Sequence, residues 1–211
     1  MKAKIDHLVI GADNLISGTS ILEKKLNTKL LPGGEHKIMG THNNLLILQL
    51  GIYLEVISNN PNADKPNRPR WFSLDENNII QKIKDTPRVL TWVVAVENIE
   101  DTVKNCGYYP GEILRLSRDA MNWKVTVPTD GKLIENGILP ILIEWDMNQH
   151  PSNHLSDSTV LLNKLCLHHP EPKKIKNIIS NLIQSDLIDI EEGLPKIEVE
   201  LKNNNEIVLI D

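Results

Sequence analysis

Three side chains sit where an idle polar group would be costly. They are His7 in Lys4-Ile5-Asp6-His7-Leu8-Val9-Ile10, Glu55 in Tyr53-Leu54-Glu55-Val56-Ile57, and Glu144 in Leu142-Ile143-Glu144-Trp145. Each stretch has the β-branched and apolar content of a strand. A carboxylate inside such a strand is expensive unless it is paired or metal-bound. Strand alternation puts Ile5, His7 and Val9 on one face, as it does Tyr53, Glu55 and Ile57, and Leu142, Glu144 and Asp146. If those faces line one hollow, an imidazole and two carboxylates converge. Such a set can hold a divalent ion with open positions or move a proton on a bound molecule. The alternative is that each acid pairs with a nearby Arg or faces solvent, and that His7 bonds to backbone.

The elements that would position them repeat along the chain. A short strand over residues 4–10 is followed by a turn, and Asn14 or Ser17 opens a helix running to Leu26. The pattern returns from Val89 to Ile99, and more weakly from Lys164 to Pro172, with an acidic residue after each strand (Asp13, Glu97, Glu171). In the first unit Pro32-Gly33-Gly34 breaks the chain, and a hairpin follows, with strands over 43–50 and 52–58 turned at Gly51. Residues 59–69, rich in Asn and Pro, form a connecting loop, and a short helix covers 77–83. In the second unit a helix over 99–105 precedes strands at 112–116, 123–127 and 138–145. The third has a strand at 161–167, a helix at 172–184 with Pro172 as a first helical residue, and strands at 187–190, 197–202 and 207–210. The fold class is α+β, built from βαβββ units over about 1–60 and 88–147 in a domain spanning 1–150. A further βαβββ-like unit over 151–211 packs on it.

Composition narrows the function classes. The 211 residues suffice for a sizeable core, with 40% hydrophobic and 24% charged residues as in an ordinary globular protein. A formal charge of −5 argues against a nucleic-acid surface. No apolar run approaches the roughly 20 residues of a membrane span, and the early first strand leaves no room for a signal peptide, so the expected location is cytoplasmic. The cysteines, Cys106 and Cys166, lack metal or disulfide spacing. No GxGxxG, P-loop, nucleophile-elbow or HExxH spacing occurs.

Other residues could complete a site. Thr41, His42 and Asn43 follow Gly40 and could bond a substrate oxygen or cap their own turn; His36, after Gly33-Gly34, could border a pocket. Arg118, between two expected strands, could grip a carboxylate or phosphate. Four Trp against one Phe and three Tyr suggest aromatic pocket walls, with core packing the alternative for each of Trp71, Trp92, Trp123 and Trp145.

Taken in order, Ile5-Asp6-His7-Leu8-Val9, Pro32-Gly33-Gly34-Glu35-His36, Gly40-Thr41-His42-Asn43, Tyr53-Leu54-Glu55-Val56-Ile57, Leu116-Ser117-Arg118 with Trp123, Leu139 to Trp145, and His150-Pro151 resemble the vicinal-oxygen-chelate superfamily, in its glyoxalase-like branch. The resemblance implies paired βαβββ modules curling into a cup, with ligands from the first and fourth strand of each module. It therefore implies a divalent metal (Zn, Ni, Mn or Fe) on His7, Glu55 and Glu144, with Glu55 and Glu144 also catalytic. It further implies substrate contacts from His36, Thr41, His42, Asn43, Trp71, Trp92, Arg118, Trp123 and His150. The implied reaction is lyase or isomerase chemistry on a small oxygenated, anionic or aromatic molecule; a further reading makes the extra C-terminal unit an interaction module that completes a homodimer. The chain departs from the pattern where Trp92 stands in the position expected for a second-module His. That favours the other role found in the superfamily, metal-free binding or sequestration.

Overall fold

The computed structural model describes residues 3–48, 51–118, 120–156 and 158–211. Gln49 and Leu50, at the end of the strand expected over 43–50, lie outside them. The first unit runs β1 (Lys4–Gly11), α1 (Leu15–Leu26), β2 (Leu31–His36), β3 (Thr41–Ile47) and β4 (Tyr53–Asn59). After α2 (Asn77–Ile83), the second unit runs β5 (Arg88–Ala95), α3 (Ile99–Asn105), β6 (Glu112–Arg118), β7 (Met121–Val127) and β8 (Ile141–Trp145). The third comprises β9 (Val160–His169), α4 (Pro172–Leu182), β10 (Ile188–Glu192), β11 (Lys196–Asn203) and β12 (Glu206–Ile210). Asn side chains start the two helices that follow the repeated strand. Asn14 accepts from the N–H groups of Ile16 and Ser17, and Asn98 accepts from that of Asp101.

The first two units share one eight-stranded sheet in the order β2-β3-β4-β1-β5-β8-β7-β6. β1 pairs parallel with β4, β5 pairs parallel with β8, and antiparallel β1–β5 pairing joins the halves. The sheet curls until its two edge strands, β2 and β6, meet. Pro32-Gly33-Gly34, expected as a break, belongs to β2. An edge strand tolerates proline, and a bulge between Pro32 and Gly34 absorbs the irregularity.

The concave face carries Val9, Ile57, Val93, Val125, Ile141 and Ile143, joined by Trp71 and Phe72 from the loop before α2. The convex face carries Leu8, Ile10, Leu54, Trp92, Val94 and Leu142 under α1 and α3. The third unit adds Leu165, Leu167, Ile175, Ile197 and Val199 to that convex core. Its elements follow the βαβββ sequence but are joined differently. β9 lies between parallel β10 and antiparallel β11 in a separate sheet of order β10-β9-β11-β12. Among the described residues no helix is long and apolar enough to cross a membrane.

Candidate functional site in the cup

A row of five polar side chains crosses the closed end of the cup. Asp6 is wholly buried beside His7, and its Oδ1 lies 2.6 Å from His7 Nδ1. His7 stacks on Tyr53 with ring centroids 4.3 Å apart, and its Nε2 lies 3.6 Å from Glu55 Oε2. Asn43 donates through Nδ2 to Glu55 Oε1 and accepts at Oδ1 from Arg118 Nη1, 3.1 Å away. Because Asn43 meets an acid on one side and a guanidinium on the other, its amide orientation is fixed. The row draws on β1, β4, β3 and β6, so it exists only once the sheet has closed on itself.

The irregularities of β1 and β2 make the row possible. A bulge in the β1–β5 ladder between Ile5 and His7 sends Ile5 to the convex core while His7 faces the cup. Asp6 is left inside between the two, where Trp145 Nε1 donates to its Oδ2 at 3.0 Å and His150 Nε2 lies 3.2 Å from the same oxygen. Burial opposes ionisation of Asp6, but hydrogen bonds from His150 and His7 outweigh it and hold the carboxyl well below the usual range. An ionised Asp6 only accepts, so His7 donates to it through Nδ1–H and turns Nε2 toward Glu55. In β2, a Cβ on Gly33 would stand 2.1 Å from Asn43 Oδ1, and one on Gly34 would stand 2.6 Å from Arg118 Cδ. The glycine pair is the notch through which Asn43 and Arg118 meet.

Around the row the walls are apolar and aromatic: Leu45, Phe72, Trp71, Trp123, Trp145 and, from the second unit, Val93, Val125, Ile141 and Ile143. Arg118 Nε and Trp71 Nε1, buried donors on these walls, have no partner among the described residues. His36 is edge-on to Trp71 and Trp123. Burial, reinforced by the charges of Arg118, His7 and His42, pushes its pKa down to about 3, so it is a neutral wall of the cup.

Register shows what became of the duplicated ligand positions. His7 pairs with Val93 across the junction of the halves. Glu55 pairs with Val9, two residues past His7, just as Ile143 pairs with Ala95, two residues past Val93. Val93 and Ile143 are thus the second-module counterparts of His7 and Glu55, and neither can donate to a metal. Trp92 is not in the ligand position. It faces the convex core, fully buried, with Nε1 donating to the Ile138 carbonyl at 2.9 Å. The β1 bulge displaces the count by one, and no propensity marks it.

Glu144 also lies on the other side of the sheet. Ile141, Ile143 and Trp145 of β8 face the cup, so Glu144 points toward α3, where it accepts from the Ile99 N–H at 2.7 Å and from Lys124 Nζ at 3.0 Å. A carboxylate there satisfies a helix N-terminus. Alternation groups Leu142, Glu144 and Asp146 correctly but does not say which face is inside. The expected set of His7, Glu55 and Glu144 is therefore not assembled, and among the described residues no group of three or more His, Cys, Asp or Glu is placed to hold a metal ion. His7 Nε2 and Glu55 Oε2 offer two donors, one short of the three protein ligands usual at a catalytic metal, and Arg118 adds positive charge to the same row. This donor set does not fit a resident divalent metal.

Of the remaining candidates, His36, Asn43, Trp71, Arg118 and Trp123 line the cavity. Thr41 is buried, with Oγ1 3.1 Å from His36 Nδ1. His150 reaches the row through Asp6, while its Nδ1 accepts from the Ser152 N–H. His42 lies on the opposite face of β3, with Nε2 2.9 Å from Ser58 Oγ, and does not supply a missing imidazole. Sequence reasoning passed over Asp6, Tyr53 and Phe72. An acid beside the candidate histidine, in a strand apolar on both sides, was the available signal for Asp6.

A curled sheet of paired βαβββ units around a pocket with ligands from first and fourth strands is the architecture of the vicinal-oxygen-chelate superfamily. The sequence matches the family model described as Glyoxalase-like domain over residues 5–183, and the chain belongs to that family. None of the curated proteins matches it. Among solved structures it is similar to a hypothetical protein from Staphylococcus aureus, with TM-score 0.64 and 15% identity over 100% of this chain and 99% of that one. It is also similar to methylmalonyl-CoA epimerase from Mycobacterium tuberculosis, with TM-score 0.42 and 12% identity over 67% and 85% of the two chains. A methylmalonyl-CoA epimerase in complex with methylmalonyl-CoA and NH4+ gives 0.45 and 14% over 72% and 100%. At these identities the likeness is one of fold.

Proposed function

We propose that the cup binds a small oxygenated anion and moves a proton on it, chemistry of the lyase and isomerase type, without a resident metal. The observation that carries this reading is the Asp6–His7···Glu55–Asn43–Arg118 row. It sets a proton acceptor and an anion-binding group side by side at the bottom of an apolar cavity. Arg118, with its unpartnered Nε–H, and the Trp71 N–H would hold a carboxylate or carbonyl oxygen. Glu55 is held at Oε1 by Asn43 and turns Oε2 toward His7. It would take a proton from the carbon α to that carbonyl or carboxyl carbon, and the charge developing on the oxygen would face Arg118. Glu55 Oε2 and His7 Nε2 face each other 3.6 Å apart. A proton taken from substrate by Glu55 would lie beside His7, available for return to the carbon or to a leaving group.

Proton exchange tests this without a known product. In D2O, proton NMR of a panel of small 2-oxo and branched carboxylic acids would show loss of the α-proton signal with the wild-type chain. Glu55→Gln should slow that exchange at least about 100-fold. Arg118→Gln should weaken binding, and Glu144→Gln should change neither. Exchange that needs an added divalent ion would restore the metal-assisted route. The apolar counterparts Val93 and Ile143 favour a second reading, a metal-free binder. Tight binding of an aromatic acid with no exchange at any position would select it over the enzyme.

A further inference from the structure

We infer that the molecule taken by this cup is longer than the cup: its anionic head lies at Arg118, an apolar stem passes His36 and Trp123, and a second anionic group ends at Lys37. The inference rests on the head-group role proposed for Arg118 and names the kind of substrate that role serves. The free space at the bottom of the cup is about 30 Å³, enough for one or two waters or the oxygens of a head group. Beyond His36 and Trp123, which line both spaces, lies a second cavity of about 230 Å³.

The chemistry of that second space is distinct. Met39, Leu116 and Trp123 give it buried apolar walls, and among the described residues its charged lining ones are Lys37 and Arg115, with no acid. Arg115 is bound to Asp146, Nη2 to Oδ2 at 2.7 Å, whereas Lys37 has no ion-pair partner among the described residues. Lys37 also borders a third hollow lined by Lys65, Arg68 and Asp64, where Arg68 is 3.8 Å from Glu112. In a chain of net charge −5, a cavity whose described charged lining residues are both cations, with Lys37 unpaired among the described residues, favours an anion there. The shared wall suits an uncharged stem: His36 is neutral, its pKa lowered chiefly by burial, and it meets Trp123 edge-on at 6.3 Å. A monoanion confined to the cup would leave Lys37 and the apolar walls behind it unused.

The full-length chain can be titrated calorimetrically near neutral pH with octanoate, which has head and stem, and with 8-phosphonooctanoate, which adds the second anion. The wild type should bind the phosphonate about tenfold more tightly, or ~1.4 kcal/mol. Lys37→Glu should abolish that preference. Arg118→Gln, or Arg118→Lys should the first variant not fold, should weaken both acids. Equal affinities for the two acids, or a preference that survives in Lys37→Glu, overturn the second subsite while the head-group reading stands. If Arg118 substitution leaves both affinities unchanged, the head-group reading falls and this inference with it. Binding of neither acid to the wild type overturns both.

Discussion

Replacing Asp6 by Asn tests whether the buried acid organises the row. Asp6 Oδ1 faces His7 Nδ1 at 2.6 Å, and Oδ2 faces Trp145 Nε1 at 3.0 Å and His150 Nε2 at 3.2 Å. His7 and Trp145 present N–H groups to one ionised carboxylate, and His150 Nε2 lies beside it. Asparagine keeps one accepting oxygen and turns an amide toward a donor, so one or two charge-assisted bonds are lost at ~1.5–3 kcal/mol each. A net cost of ~3 kcal/mol, allowing for relaxation, would lower Tm by roughly 6–12 °C in a chain of this size. The pH dependence has a definite sign. The folded-state pKa of Asp6 lies below its unfolded value. Its stabilisation is therefore fully present above the unfolded pKa near 3.9 and is lost as pH falls from there toward the folded value. Thermal unfolding of both proteins from neutral to acid pH should show a constant gap above about pH 5 that narrows below 4. Imidazole nitrogen NMR should move the His7 proton from Nδ1 to Nε2 in the variant. A neutral-pH gap below about 2 °C with the His7 tautomer unchanged would refute the role given to Asp6.

Two further outcomes follow from particular contacts. Gly34→Ala forces a side chain onto φ +136° and puts its Cβ 2.6 Å from Arg118 Cδ. It should cost ~1–3 kcal/mol in denaturant unfolding and weaken octanoate binding at least about tenfold by displacing the guanidinium. His36 is the second: its folded-state pKa is lowered to about 3, so the unfolded chain takes up its proton first. His36 thus withdraws stability as pH drops from about 6.5 toward 3, ~2 kcal/mol of it between pH 6.5 and 5. Urea unfolding should show that loss in wild type and its absence in His36→Gln.

Much of the fold was legible because the repeating signal is local. Apolar periodicity, Asn before a helix and turn residues between strands need no knowledge of distant contacts, and α3 over 99–105 matches the expected span. β2 was missed because Pro32-Gly33-Gly34 has poor strand propensity. What makes it a strand is its edge position and the need to pass Asn43 and Arg118 closely. The site was legible by half. His7 and Glu55 converge as their strand faces imply, and Arg118 joins them although it lies far along the chain. Glu144 and Trp92 went astray for one reason: alternation partitions a strand into two faces, and which face is concave depends on how the whole sheet curls. The one-residue bulge that brings Val93, and not Trp92, opposite His7 is likewise set by the paired strand.

The asymmetry of the cup bears directly on its chemistry. Two units of equivalent topology would ordinarily present equivalent residues to a shared pocket, yet β1 and β4 present His7 and Glu55 where β5 and β8 present Val93 and Ile143. Replacing half of a ligand set with aliphatic side chains removes donors, and it also dries the other half. With Val93, Ile141 and Ile143 opposite, the row from Asp6 to Arg118 faces hydrocarbon across a narrow gap. Charge–charge and charge–dipole interactions there act through a medium far less screening than water. The ligand proposed for such a space would enter with its oxygens toward Arg118 and its apolar atoms toward β5 and β8. Restoring the second half, with Val93→His and Ile143→Glu together, would supply four donors and wet the cavity. It should favour a divalent ion over the anion proposed for the present residues.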